Sequence, residues 1–361
     1  NILIHHTMMM LGSNIGRGIR RRLFSPSSSL FTLCFTTTTT NTMSSQQQIL
    51  QQFTKYIPEL NNSLHKGQCG RIAILGGSQE YTGAPFFAGI SSLRIGSDIC
   101  HIFAPSEGGT ATAIKTLSPE LIVHPLSNDD PSSIIPWLMS IHVLIVGPGL
   151  GRSEVAWSCA KEVIRTARSI NIPLVLDGDA IRLVCTNLEL IQGYEKVILT
   201  PNFVEYRALS DSVKELTKDT SNAIITPESM AKSLGNVVIV QKGLEDTITD
   251  GANSTIICNL EGMPRRCGGQ GDVLAGAIGT FLAWTHLKSK QAAESGIDSQ
   301  LSNTSLTSPL TMAALAGCSL LRQASNQAFV KNRRSTITDD IIKELPTSFE
   351  VLFPSLTPVT V

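Results

Sequence analysis

Gly262-Met-Pro-Arg-Arg-Cys-Gly-Gly-Gln-Gly-Asp272-Val-Leu-Ala-Gly276 is the stretch that decides how this chain reads. Four glycines lie in the ten residues before Asp272, and an apolar helical pattern, Val273 to Trp284, follows at once. Glycine lets a backbone approach a ligand closely and adopt positive φ. The helix start behind it points unpaired N–H groups, with partial positive charge, at whatever occupies the loop. Such a place holds phosphate, or the charge that develops while phosphate moves. Asp272 stands at the N-cap or in the first turn, beside that anion hole. Its carboxylate either caps the helix or takes a proton from a hydroxyl attacking a phosphoryl group. Arg265 and Arg266 place two guanidiniums in the same loop, which suits polyphosphate. Cys267 reads as a small loop residue.

Working outward, the chain alternates short apolar runs with helical patterns. Ile72-Ala-Ile-Leu75 ends in Gly76-Gly77, and Val143-Leu-Ile-Val146 ends in Gly147-Pro-Gly-Leu-Gly-Arg152. Leu174-Val-Leu176 ends in Asp177-Gly178-Asp179, Val197-Ile-Leu199 in Thr200-Pro201-Asn202, and Val237-Val-Ile-Val240 in Gln241-Lys242-Gly243. Runs that are apolar throughout imply strands buried on both faces of a largely parallel sheet. Their alternation with helices predicts a doubly wound α/β architecture with helices on both faces. In such sheets ligands bind outside the carboxyl ends of the strands, so these Gly/Pro/Asp/Asn clusters can converge on one site. Asp246-Thr-Ile-Thr-Asp-Gly251 and Ser254-Thr-Ile-Ile-Cys258 predict a hairpin with an Asp-Gly turn.

Each cluster has two readings. The Gly147–Arg152 loop is a tight turn or a ligand loop. It resembles a dinucleotide loop, whereas Gly76-Gly77-Ser78 lacks both the dinucleotide and the P-loop pattern. Asn202 and Glu205, one helical turn apart, are either a capping box or the outer partners of a water-bridged magnesium ion. Lys242 is a solvated lysine or a phosphate contact. His101, His124 and His142 have no metal-ligand spacing and read as structural.

Bulk properties narrow the class. The chain has 361 residues, 42% hydrophobic, with 29 basic and 29 acidic side chains. Zero net charge gives no support to a nucleic-acid or polybasic membrane role. No apolar run approaches the roughly 20 residues needed to span a bilayer. The eight cysteines are scattered, without zinc spacing, as expected of buried thiols in a reducing compartment. No acid precedes Glu59, and the start of the chain carries Arg17, Arg20, Arg21 and Arg22 and the run Thr36 to Thr40. That composition predicts a mitochondrial or chloroplast transit peptide over residues 1–45, with Met8 and Met43 as candidate starts and a cytosolic form from Met43. One α/β domain is expected over residues 46–355, with a polar, Ser-rich flexible insertion at 287–309.

Taken in order, the motifs resemble the ATP-dependent NAD(P)H-hydrate dehydratases of eukaryotic type, whose fold is ribokinase-like. The matching stretches are Gly70 to Gly77, Tyr81-Thr-Gly-Ala-Pro85, Gly147 to Arg152, Leu176-Asp-Gly-Asp-Ala180, Leu199 to Asn202 with Glu205, Lys242-Gly243 and Gly268 to Gly276. The resemblance spans roughly residues 48–350. It implies that ATP phosphorylates the ring hydroxyl of the S epimer of hydrated NADH or NADPH, after which phosphate leaves by elimination. By the same resemblance Asp272 is the base, and the N–H groups of Gly269, Gln270 and Gly271 stabilise the transferring group. ATP would contact Lys242, Gly243, Leu244, Glu245 and Asp246, and Gly262, Met263, Pro264, Arg265, Arg266, Cys267, Gly268, Gly269, Gln270 and Gly271. The hydrate would contact Gly149, Gly151, Asn202, Phe203, Val204, Glu205, Tyr206, Arg207, Ala208 and Asp272. Asn202 and Glu205 would organise Mg2+ through water. The residues Gly243-Leu-Glu-Asp246 depart from the apolar and threonine residues common after this lysine in bacterial members. Bacterial relatives are often fused to a hydrate epimerase; none is legible here, and functional pairing with a separate epimerase is expected. The oligomeric state stays open, a homo-oligomer included. The alternatives are a ribokinase-like small-molecule kinase of the hydroxymethylpyrimidine or hydroxyethylthiazole type, and a catalytically silent nucleotide sensor.

Overall fold

Nine strands, β1 (Arg71–Leu75), β2 (Ile99–Pro105), β3 (Ile122–Leu126), β4 (Val143–Val146), β5 (Leu174–Leu176), β6 (Val197–Leu199), β7 (Val238–Gln241), β8 (Asp246–Thr249) and β9 (Ile256–Cys258), form one sheet in the order β3-β2-β1-β4-β5-β6-β7-β8-β9. The computed structural model describes residues 44–253, 255–295 and 307–354. Strands β1 to β7 are parallel; β8 and β9 pair antiparallel, with Asp246 opposite Cys258. The predicted hairpin is therefore present. It closes the sheet on the side where the chain must return to the glycine loop.

The all-apolar strands are buried on both faces, as their composition requires. Along β1, Ile72 and Ile74 enter one core while Ala73 and Leu75 enter the other. Val143 and Ile145 of β4 face the first core; Leu144 and Val146 face the second. The first core is covered by the helices Gly83–Ile95, Gln270–Glu294, Pro309–Asn332 and Thr338–Leu352, and the second by Glu154–Ser169, Asp179–Cys185 and Phe203–Thr217. The Gln270–Glu294 helix lies deepest, with every residue from Val273 to Thr285 buried. No amphipathic stripe is visible over Val273 to Thr285 because that part is packed all round.

Strand order reverses between β1 and β4. There the chain runs out to β3 on one side and to β9 on the other. This is the switch point where open α/β sheets leave a crevice at the strand ends. The loops after β1 and β4 meet across it, the Gly77 N–H donating to Pro148 O at 2.9 Å.

Two expected segments reach into the described residues at their edges. The flexible insertion assigned to 287–309 overlaps regular structure at both ends: the long helix runs on to Glu294, Ser308 caps the next helix, and Pro309 begins it. Only 296–306 of that segment lies outside the described residues. The transit-peptide assignment also falls outside them as far as residue 43. Ser44 and Ser45 belong to the folded unit, where Ser44 forms a capping box with Gln47 on the Ser45–Phe53 helix. No helix among the described residues is long and apolar enough to cross a membrane.

Candidate active site

Gly269 is the N-cap of the Gln270–Glu294 helix, at φ +97°. A side chain there would meet Phe87 and Thr338 at 2.8 Å, so only glycine permits the turn. No side chain caps this helix. Asp272 is thus not the cap. It sits in the first turn, half-buried, among amides that have no partner one turn back.

The neighbours of Asp272 come from distant strand ends. Lys242 Nζ lies 2.7 Å from Asp177 Oδ1, and Thr200 Oγ1 donates to the same oxygen at 2.6 Å. Gly271 packs onto this pair: a Cβ there would stand 3.4 Å from Asp177 Oδ2 and 3.5 Å from Lys242 Nζ. Burial, then the charge of Asp177, pushes the Asp272 carboxyl up to about 7, against the pull of Lys242 and of its own backbone N–H. Burial also raises Glu205, the third carboxyl of the cluster, again against Lys242. For Lys242, burial works to lower the pKa, but Asp177, Glu205 and Asp272 outweigh it and hold the ammonium above its ordinary value. The result is one cation among three carboxyls, packed against Gly271 of the glycine loop. A carboxyl poised near 7 in the first turn of a helix has the protonation behaviour a general base needs.

Asn202 and Glu205 form a full capping box on the Phe203–Thr217 helix. Asn202 Oδ1 accepts from the Val204 and Glu205 amides at 2.9 and 3.0 Å, and Glu205 Oε2 accepts from the Asn202 amide at 2.9 Å. Both lone pairs of Asn202 Oδ1 are spent there. Glu205 Oε1 has no protein partner among the described residues.

The Gly149 and Gly151 loop reaches the same crevice from β4. Gly149, at φ +61°, abuts the Tyr81 backbone, and the Gly151 N–H donates to Asp179 Oδ2 at 3.0 Å. Asp177-Gly-Asp179 therefore touches both the base cluster and the β4 loop. Phe203 and Val204 are 66% and 59% exposed, apolar surface left open at the rim. Arg207 is exposed as well, and Ala208 is partly covered.

Other expected contacts are not available to a ligand through their side chains. Tyr206 is buried in the second core, its hydroxyl donating to Ile225 O at 2.6 Å. Met263 is buried in the first core. Asp246 is committed: Oδ1 accepts the Gly243 N–H at 3.0 Å and Oδ2 pairs with Arg322 Nε at 2.7 Å. Arg265 Nε donates to Thr336 O at 2.6 Å, and Cys267 lies 3.5 Å from the Thr338 hydroxyl. Gly262 O accepts from Asn326 at 3.1 Å. Leu244, Glu245, Pro264, Arg266 and Gly268 are exposed.

Arg322 escapes a reading of the sequence altogether. Besides Asp246 it donates to Leu244 O, Leu260 O and Gly243 O at 2.7, 3.2 and 3.2 Å, tying the β7–β8 turn to the end of β9. The unusual Gly243-Leu-Glu-Asp246 turn is thus matched by an arginine on the Pro309–Asn332 helix. Nothing in the local sequence connects the two.

A family model described as NAD(P)H-hydrate dehydratase matches residues 72–347. A Heterostelium pallidum protein named ATP-dependent (S)-NAD(P)H-hydrate dehydratase is 66% identical over 301 residues, 82% of this chain and 72% of that protein. A Dictyostelium discoideum protein of the same name is 61% identical over 307 residues, 85% of this chain and 98% of its relative. Among solved structures, a ribokinase-like superfamily protein from Enterococcus faecalis matches 85% of this chain and 94% of its own at a TM-score of 0.64 and 23% identity. An ADP/ATP-dependent NAD(P)H-hydrate dehydratase from Bacillus subtilis, co-crystallised with ATP and Mg2+, matches 84% and 97% at 0.60 and 20% identity. At these identities the two structures speak for the fold, which is ribokinase-like.

Proposed function

The chain belongs to the NAD(P)H-hydrate dehydratase family, and from that premise we propose how its own residues repair a damaged nicotinamide nucleotide. Its activity is the ATP-dependent dehydration of (S)-NADH hydrate and (S)-NADPH hydrate, a hydro-lyase reaction that returns NADH or NADPH with ADP and phosphate.

The observation that carries the assignment of roles is the half-buried Asp272, near 7, one residue beyond the glycine anion hole. Asp272 takes the proton from the ring hydroxyl as its oxygen attacks the γ-phosphorus. The Gly269, Gln270 and Gly271 N–H groups bear the charge that builds on the transferring group. Lys242, held in place by Asp177, faces the phosphate charge. Phosphorylation turns hydroxide, a poor leaving group, into a good one. The lone pair of the adjacent ring nitrogen then expels phosphate as the C–O bond breaks. Loss of a proton from the neighbouring carbon restores the conjugated ring. Gly149, Gly151 and the open faces of Phe203 and Val204 hold the dinucleotide; Arg207 and Ala208 lie one turn further on.

Magnesium fits this site as the companion of ATP, where it would neutralise phosphate charge. Among the described residues no group of three His, Cys, Asp or Glu side chains could hold a bare ion. Glu205 Oε1 would accept from a water on the metal, and Asn202 would contribute by orienting Glu205. Because the S epimer is the substrate, functional pairing with an NAD(P)H-hydrate epimerase is expected.

The kinase alternative shares Asp272 and the anion hole but ends on a stable phosphoester. Family membership favours the dehydratase. Enzymatically hydrated NADH mixed with ATP and this protein should recover NADH absorbance, with ADP and free phosphate appearing one to one. A stable phosphorylated organic product with no free phosphate would decide for the kinase.

A further inference from the structure

We infer that Thr338 is a positioning residue for the anion hole: its hydroxyl fixes the Gly268–Gly269 peptide so that the Gly269 N–H faces the phosphoryl group. The inference rests on the dehydratase reading above and adds a residue from outside the glycine loop. Thr338 is the first residue of the Thr338–Leu352 helix and is buried. Its hydroxyl donates to Gly268 O and stands 3.5 Å from Cys267 Sγ, which can donate to it in turn. In a trans peptide the C=O and N–H point in opposite directions. Binding the Gly268 carbonyl on the Thr338 side therefore sends the Gly269 N–H out of the opposite side. That N–H has no acceptor among the described residues. The loop cannot relax by rotating as a whole. Phe87, on the Gly83–Ile95 helix, and Thr338 pack against Gly269 from the protein side, as close as a glycine allows. Arg265 Nε adds a second tie to the same segment through Thr336 O. The anion hole is thus aimed by the junction before the last helix, some 70 positions along the chain.

An oxyanion donor acts only through its aim, and removing one outright costs on the order of 100-fold in kcat. Loosening the aim should cost about tenfold or more. Thr338→Val keeps the shape and loses the hydroxyl; Thr338→Ser keeps the hydroxyl. We expect Thr338→Val to lower kcat at least about tenfold with KM for the hydrate within about threefold, and Thr338→Ser to stay within about threefold of the parent in both. A binding measurement separates this inference from the reaction assignment. The probe is ADP with aluminium fluoride, in magnesium buffer, against ADP alone. Thr338→Val should bind the aluminium fluoride complex about tenfold or more weakly and bind ADP as before. Equal affinity for the complex, a parental kcat in Thr338→Val, or an equal loss in Thr338→Ser would overturn the positioning role. A parent protein that restores no NADH would instead overturn the reaction, and the binding comparison would still decide the role of Thr338.

Discussion

Lys242 Nζ and Asp177 Oδ1 stand 2.7 Å apart although 65 positions separate them in sequence. The Asp177 side chain is 5% exposed and that of Lys242 is 21% exposed, so the pair is shielded from solvent. Its charge reaches Asp272, which Asp177 raises and Lys242 lowers. Replacing Asp177 with Asn removes the raising charge and frees Lys242 to face Asp272. The acid limb of the pH–rate profile should then move to lower pH and the plateau rate should fall. An unmoved limb would show that Asp177 is not coupled to the base.

Asp272→Asn keeps the side chain's shape and loses proton acceptance. The expected result is a rate loss of about 100-fold or more, with ATP still bound, on the scale of general-base effects. Single-turnover kinetics with hydrated NADH measure the rate, and calorimetry measures ATP. Near-normal turnover would remove Asp272 from the role of base.

The pH profile of the parent follows from the same group. Only the carboxylate accepts a proton, so kcat/KM should rise through about pH 7 and level above it. The stability effect has the opposite sense. The folded protein holds this proton up to about 7, whereas the unfolded chain releases it near the ordinary aspartate value of 3.8. Stability is therefore lost as pH rises between those values, and the full cost applies above 7. Asp272→Asn should raise Tm at pH 8 and leave it nearly unchanged below pH 4. A function-destroying change that stabilises the fold is the signature of a strained site. An equal Tm shift at both pH values would contradict it.

Arg322→Leu leaves Asp246 buried without its cation and frees the carbonyls of Gly243, Leu244 and Leu260. Breaking a buried pair by removing one partner costs about 3 kcal/mol or more. Denaturant melts should show that loss, and KM for ATP should rise more than kcat falls. Arg322→Lys should rescue little, since an ammonium cannot reproduce the planar fork. Full rescue by lysine would reduce the role of Arg322 to charge alone.

We propose that the acid-free, arginine-bearing segment before Ser44 is a removable organellar address. Gln46, Leu50 and Phe53 are buried in the folded unit, so removal must stop at or before Ser44. A fluorescent fusion of residues 1–60 should enter mitochondria or chloroplasts, and one starting at Met43 should stay cytosolic. Identical diffuse distributions would show that the segment is no address.

The amino-acid sequence by itself determined the layers, the mostly parallel sheet, the β8–β9 hairpin and the helix start at the glycine loop. Each of these depends on local pattern: continuous apolar strands, an Asp-Gly turn, glycines ahead of an apolar helix. It also placed Asp272 in the first turn behind the glycine loop, because loop and helix are contiguous there. Tertiary structure alone decided the rest. It showed that Gly269, not Asp272, takes the cap. It turned Tyr206 and Met263 into core residues, since a helix or loop next to a ligand must also seat its other face in the protein. It spent Asp246 on Arg322, and it brought Asp177, Glu205 and Lys242 from beyond the ends of β5, β6 and β7 to Asp272 on the helix after the glycine loop. Arg322 and Thr338 act through backbone carbonyls far along the chain. A carbonyl is the same in every residue, so no side-chain pattern could announce those bonds.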